Sequence, residues 1–252
     1  MIEPKNSGFC KLCNRKAVLV KSHIFPKFLY KRFAANQDRG GAFNDLGQLK
    51  RHNRQLRERW CCKECEKKFG ETEAADFLNL IQKADQQEYK YNSEIFRFVV
   101  SISWRWTLYE KEKSDNTEKV ESLLKPALKR WRAYLRGDRK DIGKFTQHGF
   151  IYRSQQGDVP WEAMMGAQVF YDEKMVFFRI GPLTVFGLLD KRPMESSEAQ
   201  RLSETQLDLN GGTLQVLEKL KVNHALTDSM CRILNQSEQW CIARSKKMPN
   251  PR

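Results

Sequence analysis

Two Cys-x-x-Cys pairs constrain this chain more than any other feature: Cys10-Lys-Leu-Cys13 and Cys62-Lys-Glu-Cys65. Thiolates at i and i+3 fall on one tight turn with both sulfurs facing one ion, and two such turns complete a tetrahedral S4 site. The fold must therefore bring residue 62 back beside residue 13. Zinc is the expected structural metal; the competing reading is a set of buried or redox-active thiols. Cys61 adjoins the second pair and is an alternative to Cys62, but only Cys62 has the i, i+3 spacing to Cys65.

Composition narrows the setting. The 252 residues are 40% hydrophobic and 11% aromatic, enough for a sizeable core and unlike a disordered chain. No apolar run reaches membrane-spanning length and no signal-peptide core is visible, so a cytosolic, membrane-free protein is expected. Seven cysteines, an odd number, suit metal ligands plus free thiols better than disulfides. The net charge of +14 points to a polyanionic partner, nucleic acid first. Lys5, Lys11, Arg15, Lys16, Lys21, Lys27, Lys31 and Arg32 follow one another without an intervening acid. Arg51, Arg54, Arg57 and Arg59 approach the second cysteine pair with Glu58 alone opposing them. Both runs flank the cysteines, as phosphate contacts would; the bland alternative is a solvated surface.

Between the pairs, the β-branched run from Val18 reads as a short strand that Pro26 must end, because proline has no N–H for a ladder. His23, in Ser22-His-Ile-Phe-Pro26, sits near that strand's end. The order Cys-x-x-Cys, strand, His-Ile-x-Pro, Cys-x-x-Cys, helix resembles the HNH nucleases of the ββα-metal, or treble-clef, superfamily over about residues 8 to 80. More narrowly, Ser-His-Ile-x-Pro-Lys-Phe followed by Cys-x-x-Cys-Glu is similar to a bacterial group of HNH-like proteins.

The resemblance implies that His23 is a general base acting on the water that attacks a phosphodiester, a role suited to imidazole. It also implies a catalytic magnesium or manganese ion, separate from the zinc. The family usually carries Asp or Glu just before the histidine as a metal ligand, and this chain has Ser22. Its usual Asn or His after the last cysteine is Glu66 here, a carboxylate able to hold the ion. Glu73, two helical turns on, is a second ligand or an outer partner. Asn53, with Asn44 behind it, is the candidate for orienting the base. Against these stand a His23 that is structural or a fifth potential zinc ligand, and a Glu66 that merely favours a helix start.

Downstream, residues 27 to 34 have helical spacing, the Gly- and Asn-rich stretch 36 to 49 reads as a loop, and a helix is expected from Cys65 towards Leu80 or Ala84. Residues 86 to 93 read as a polar junction. The stretch from Ile95 to Tyr109 carries both a strand alternation and a helical stripe; its length favours a buried helix. A second helix fits Thr117 to Leu135, kinked or split by Pro126. From Phe145 to Leu189, β-branched and aromatic runs separated by turns predict an antiparallel meander. A helical tail is expected from about Leu214 to Arg244. The whole is an α+β chain, with a zinc-binding HNH-like unit over residues 1 to 90 and an α+β unit over 91 to 252. The function implied is a metal-dependent endonuclease, with DNA ahead of RNA as substrate and phage or plasmid defence as its setting. The rivals are a zinc-stabilised nucleic-acid-binding or adaptor protein without catalysis, and a nuclease subunit that needs a protein partner such as an ATPase.

Overall fold

The computed structural model describes residues 6–35, 42–45, 55–73, 77, 80, 89–114, 117–153, 164–190 and 205–218. In chain order the first elements are β1 (Ser7–Phe9), β2 (Lys16–His23), α1 (Lys27–Ala35), β3 (Ala42–Asp45), β4 (Arg57–Cys62), α2 (Lys63–Glu73) and β5 (Tyr89–Asn92). Two long helices follow, α3 (Ser93–Lys113) and α4 (Thr117–Arg136). The last are β6 (Gln147–Arg153), β7 (Met164–Phe170), β8 (Met175–Ile180), β9 (Leu183–Leu188) and β10 (Gly211–Glu218). The chain is thus mixed α+β. No helix among the described residues is long and apolar enough to cross a membrane.

A small antiparallel sheet, ordered β1-β2-β4, carries the cysteines. A larger sheet runs β3-β7-β8-β9-β6-β10-β5. Helix α3 lies between them, touching α2 on one side and β7, β8, β9 and β10 on the other, with α4 along its flank. This position explains its double pattern. A helix enclosed on every side needs apolar residues all round, and Phe96, Phe98, Val99, Val100, Ile102, Trp104 and Trp106 are all buried. Its start is fixed by Asn92, whose side-chain oxygen accepts from the Ile95 N–H at 3.0 Å, satisfying one orphan donor of the first turn. Aromatic contacts tie the layers: Phe25 meets Trp106 at 5.8 Å, Phe69 meets Trp104 at 6.2 Å and Phe77 meets Phe98 at 4.4 Å between centroids. One apolar cluster runs unbroken from Cys10 and Trp60 through α3 to Val185 and Leu214.

The meander expected from residues 147 to 190 is only partly present: β7, β8 and β9 pair antiparallel in sequence order, but β6 crosses over to pair antiparallel with β9 instead of β7. Its edges differ from expectation. The stretch taken as loop, 36 to 49, contains β3, which pairs parallel with β7. The expected polar junction contains β5. The helix expected from Leu214 is instead strand β10 as far as Glu218, parallel to β6 and antiparallel to β5; residues 219 to 252 lie outside the described residues. Leu214 is buried while Thr213 and Gln215 are exposed, the period-2 alternation of a strand, and the partners that select it lie far away in sequence. Gly211 makes the entry possible. Its φ is +102°, and a Cβ there would stand 2.4 Å from the Tyr91 carbonyl oxygen, so no side chain fits.

Helix α4 is continuous through Pro126. The missing N–H deprives the Ser122 carbonyl of its donor without ending the helix. Trp131, fully buried on this helix, donates its indole N–H to the Phe145 carbonyl at 2.9 Å.

Candidate functional site

The first cysteine pair sits on the turn between β1 and β2. Asn14 takes the left-handed conformation, φ +62°, which asparagine tolerates well. This reverses the chain so that the Asn14 N–H reaches the Cys10 carbonyl at 2.8 Å and the Cys10 N–H reaches the Arg15 carbonyl at 3.0 Å. The Cys13 N–H then points at the Cys10 sulfur, 3.5 Å away, and the Arg15 Nε–H at the Cys13 sulfur, also 3.5 Å. The second pair straddles the junction of β4 and α2, so Cys62 ends a strand and Cys65 falls in the first helical turn.

The sulfurs of Cys10, Cys13, Cys62 and Cys65 lie within 4.8 Å of one another, and those of Cys13 and Cys62 are 3.9 Å apart. Four sulfurs about 2.3 Å from a tetrahedral zinc would be separated by about 3.8 Å. The cluster therefore fits a metal such as zinc. The N–H···S contacts supply the outer layer that such thiolates use to spread their charge. Cys10 is held down to about 3, chiefly by a hydrogen bond from the Cys61 thiol.

Cys61 is not a member of the cluster. The Cys62 sulfur joins the other three, while the buried Cys61 thiol lies outside the set, against the Cys10 sulfur. Its thiol is pushed up by the neighbouring Cys10 and by burial, so it stays protonated and serves as a donor.

A bulge shapes the seat of the first turn. The β2–β4 register pairs Val20 with Cys61 and then Lys21 with Arg59, leaving Trp60 without a partner across the ladder. Its carbonyl accepts instead from the Lys11 N–H at 2.7 Å. The Trp60 indole donates to Glu112 on α3 at 2.6 Å, and Glu112 also meets Lys11 at 2.9 Å. The metal turn, strand β4 and the end of α3 are thereby fastened together.

His23 closes β2, half-buried, with its Nε2 3.1 Å from Gln55 Oε1. Arg57 also bonds that Gln55 oxygen. Guanidinium can only donate, so the shared oxygen accepts from both groups in the tautomer with the His23 proton on Nε2. Nδ1 is then left with its lone pair. Burial lowers the His23 pKa below its ordinary value; Arg57 and Lys27 act in the same direction, while the Gln55 bond and Glu66 oppose them. The ring lies against Tyr30, 5.9 Å between centroids, and the Tyr30 hydroxyl accepts from the Leu56 N–H at 3.0 Å. From beneath, the buried Arg105 of α3 donates to the His23 carbonyl at 3.1 Å and to Ser101, with its guanidinium 4.7 Å from the Phe69 ring centre.

Glu66 follows Cys65 in the first turn of α2. Its Oε2 is buried and, among the described residues, has no hydrogen-bond partner. The buried Ser22 hydroxyl has no nitrogen or oxygen partner among the described residues and lies against the Cys61 thiol. A buried carboxylate oxygen without a partner is costly in an apolar interior, and an oxygen donor of this kind suits a hard divalent cation. Ser22 and His23 are adjacent on β2, and Glu66 is near enough to act on the His23 charge. Glu73 lies at the end of α2 and Asn44 in β3; their side chains, and Asn53 altogether, fall outside the described residues.

Gln55 and Arg105 escaped the sequence reading. Gln55 sits in a polar run with no motif, and only strand pairing places Arg57 beside His23. Arg105 interrupts an apolar helix, and a buried arginine at position 105 was the available signal. Around the site Lys11, Arg15, Lys21, Lys27, Lys31, Arg57 and Arg59 are exposed. No family model, curated protein or solved structure matches this chain.

Proposed function

We propose that this protein is a metal-dependent endonuclease of the HNH type that hydrolyses nucleic-acid phosphodiester bonds, with DNA the favoured substrate. One observation carries the reading: His23 is held by Gln55 at the end of β2, and Glu66, whose buried oxygen lacks a partner among the described residues, is near enough to act on its charge. His23 takes a proton from water at Nδ1 as the oxygen attacks phosphorus, and the bond to the leaving oxygen breaks. Its lowered pKa keeps the imidazole neutral, and so able to accept, at neutral pH. Gln55 and Tyr30 hold the ring. Lys21, Lys27, Arg57 and Arg59 supply positive charge for the phosphate backbone.

Glu66, with Ser22 and Glu73 as further donors, would hold a magnesium or manganese ion. That ion supplies charge neutralisation at the scissile phosphate. Cys10, Cys13, Cys62 and Cys65 would hold zinc, which fixes β4 and α2 relative to β2 and so places Glu66 against His23. The resemblance to bacterial HNH-like proteins suggests defence against phage or plasmids as the setting.

Ser22, in place of an acidic residue, favours a second reading: a zinc-stabilised nucleic-acid-binding protein, or a subunit that cuts only with a partner. The deciding experiment is cleavage of supercoiled plasmid, single-stranded DNA and RNA with magnesium or manganese. Zinc-loaded wild type is compared with zinc-loaded His23→Ala. Cleavage by the wild type alone supports the nuclease; binding without cleavage by both supports the second reading.

A further inference from the structure

On the far side of α3 a cavity of about 610 Å3 opens between α4 and the β7–β8 turn, within the roughly 300–1,000 Å3 of small-molecule sites. Val120, Leu123, Phe145 and Leu189 give it an apolar lining, and Tyr171 stands at its edge with 37% of its surface exposed. An aromatic left that open is an available stacking platform. Ser122, whose carbonyl is denied a helical donor by Pro126, is also in the wall.

The charges are arranged unevenly. Lys174 is neutralised by Asp190 at 2.7 Å. It is held there by a left-handed backbone, φ +53°, which a non-glycine residue adopts at some cost. Lys119 and Lys144 line the same cavity, and neither has a carboxylate within ion-pair distance among the described residues. The Lys144 ammonium lies 5.1 Å from the Phe145 ring centre, which fixes it at the wall. Asp172 is exposed at the rim.

We propose that this cavity binds a nucleoside monophosphate, with the base against Tyr171 and the apolar wall and the phosphate between Lys119 and Lys144. Two ammoniums match one phosphate dianion, while Asp172 accepts from ribose hydroxyls and repels a polyphosphate tail. The site is independent of the proposed nuclease chemistry.

The test is isothermal titration of the full-length, zinc-loaded protein with AMP, GMP, CMP and UMP. Adenosine, inorganic phosphate and ATP serve as comparisons. Binding is also measured in His23→Ala, in Lys119→Gln/Lys144→Gln and in Tyr171→Ala. The altered lysines and Tyr171 are exposed, and an unchanged melting temperature checks each fold. The expected result is a saturable monophosphate site with a Kd below about 100 µM. Binding there is unaffected by His23→Ala and weakened about tenfold or more in the lysine pair and in Tyr171→Ala. Adenosine, phosphate and ATP bind more weakly. No saturable binding up to about 1 mM, or binding lost in His23→Ala and kept in the other variants, overturns the proposal.

Discussion

His23 Nε2 lies 3.1 Å from Gln55 Oε1, an oxygen it shares with the Arg57 guanidinium. With the proton on Nε2, one amide oxygen serves both donors and leaves Nδ1 free to accept. Replacing Gln55 by Ala should lower cleavage by about tenfold, and His23→Ala by about 100-fold or more, with zinc content unchanged in both. Gln55→Glu keeps the acceptor and adds negative charge, so it should retain activity and move the acid limb of the pH–rate profile to higher pH. A merely structural Gln55 would leave that limb where it is.

Burial of His23 also has a thermodynamic consequence. Its folded pKa lies below the unfolded value, near 6.5, so the unfolded chain takes up the proton first as pH falls. Its contribution is whole above that value and is lost as the pH drops towards the folded pKa. Denaturant midpoints measured from pH 8 to pH 5 should fall more steeply for wild type than for His23→Asn. Parallel curves would show that the ring is as free to protonate as in the open chain.

The fifth cysteine separates ligand from neighbour. Cys62→Ala should lose bound zinc and near-ultraviolet circular dichroism, whereas Cys61→Ala should keep one zinc per chain by elemental analysis. A strong chelator should reproduce the first phenotype in the wild type. Loss of zinc from Cys61→Ala alone would reverse the assignment made by the sulfur positions.

At Gly211 the clash with the Tyr91 carbonyl and the positive φ act together. Gly211→Ala should cost about 2 kcal/mol or more, a fall of about 4–8 °C in Tm for a chain of this size. The neighbouring Gly212, whose nearest contacts are Tyr91 side-chain atoms at 3.3 Å or more, should tolerate alanine better.

The parts of the site legible in the sequence were those written locally. Two i, i+3 cysteine pairs announce a cluster because a tight turn is a local object, and Pro26 marks the end of β2 because proline acts on its own neighbours. Cys62 was preferred to Cys61 on its i, i+3 spacing to Cys65 alone. What could not be read depends on distant partners. Gln55 acquires its role from a ladder that sets Arg57 opposite His23. The stretch after Leu214 reads as helix until β5 and β6 offer it edges on both sides. Ile95 to Tyr109 looked ambiguous because a helix enclosed on all faces has no polar stripe to declare its period.

The larger sheet also sets an order of events on the ribosome. β10 lies between β6 and β5, parallel to the first and antiparallel to the second. Tyr89–Asn92 therefore waits for its ladder partner until residue 214 has been made, long after α3 behind it is complete. Pairings of such long separation form late, and an unpaired strand edge in the meantime is an invitation to other chains. The nascent protein is most exposed to aggregation in that interval, and a chaperone that shields this edge would improve its yield more than one acting on the cysteine-bearing end.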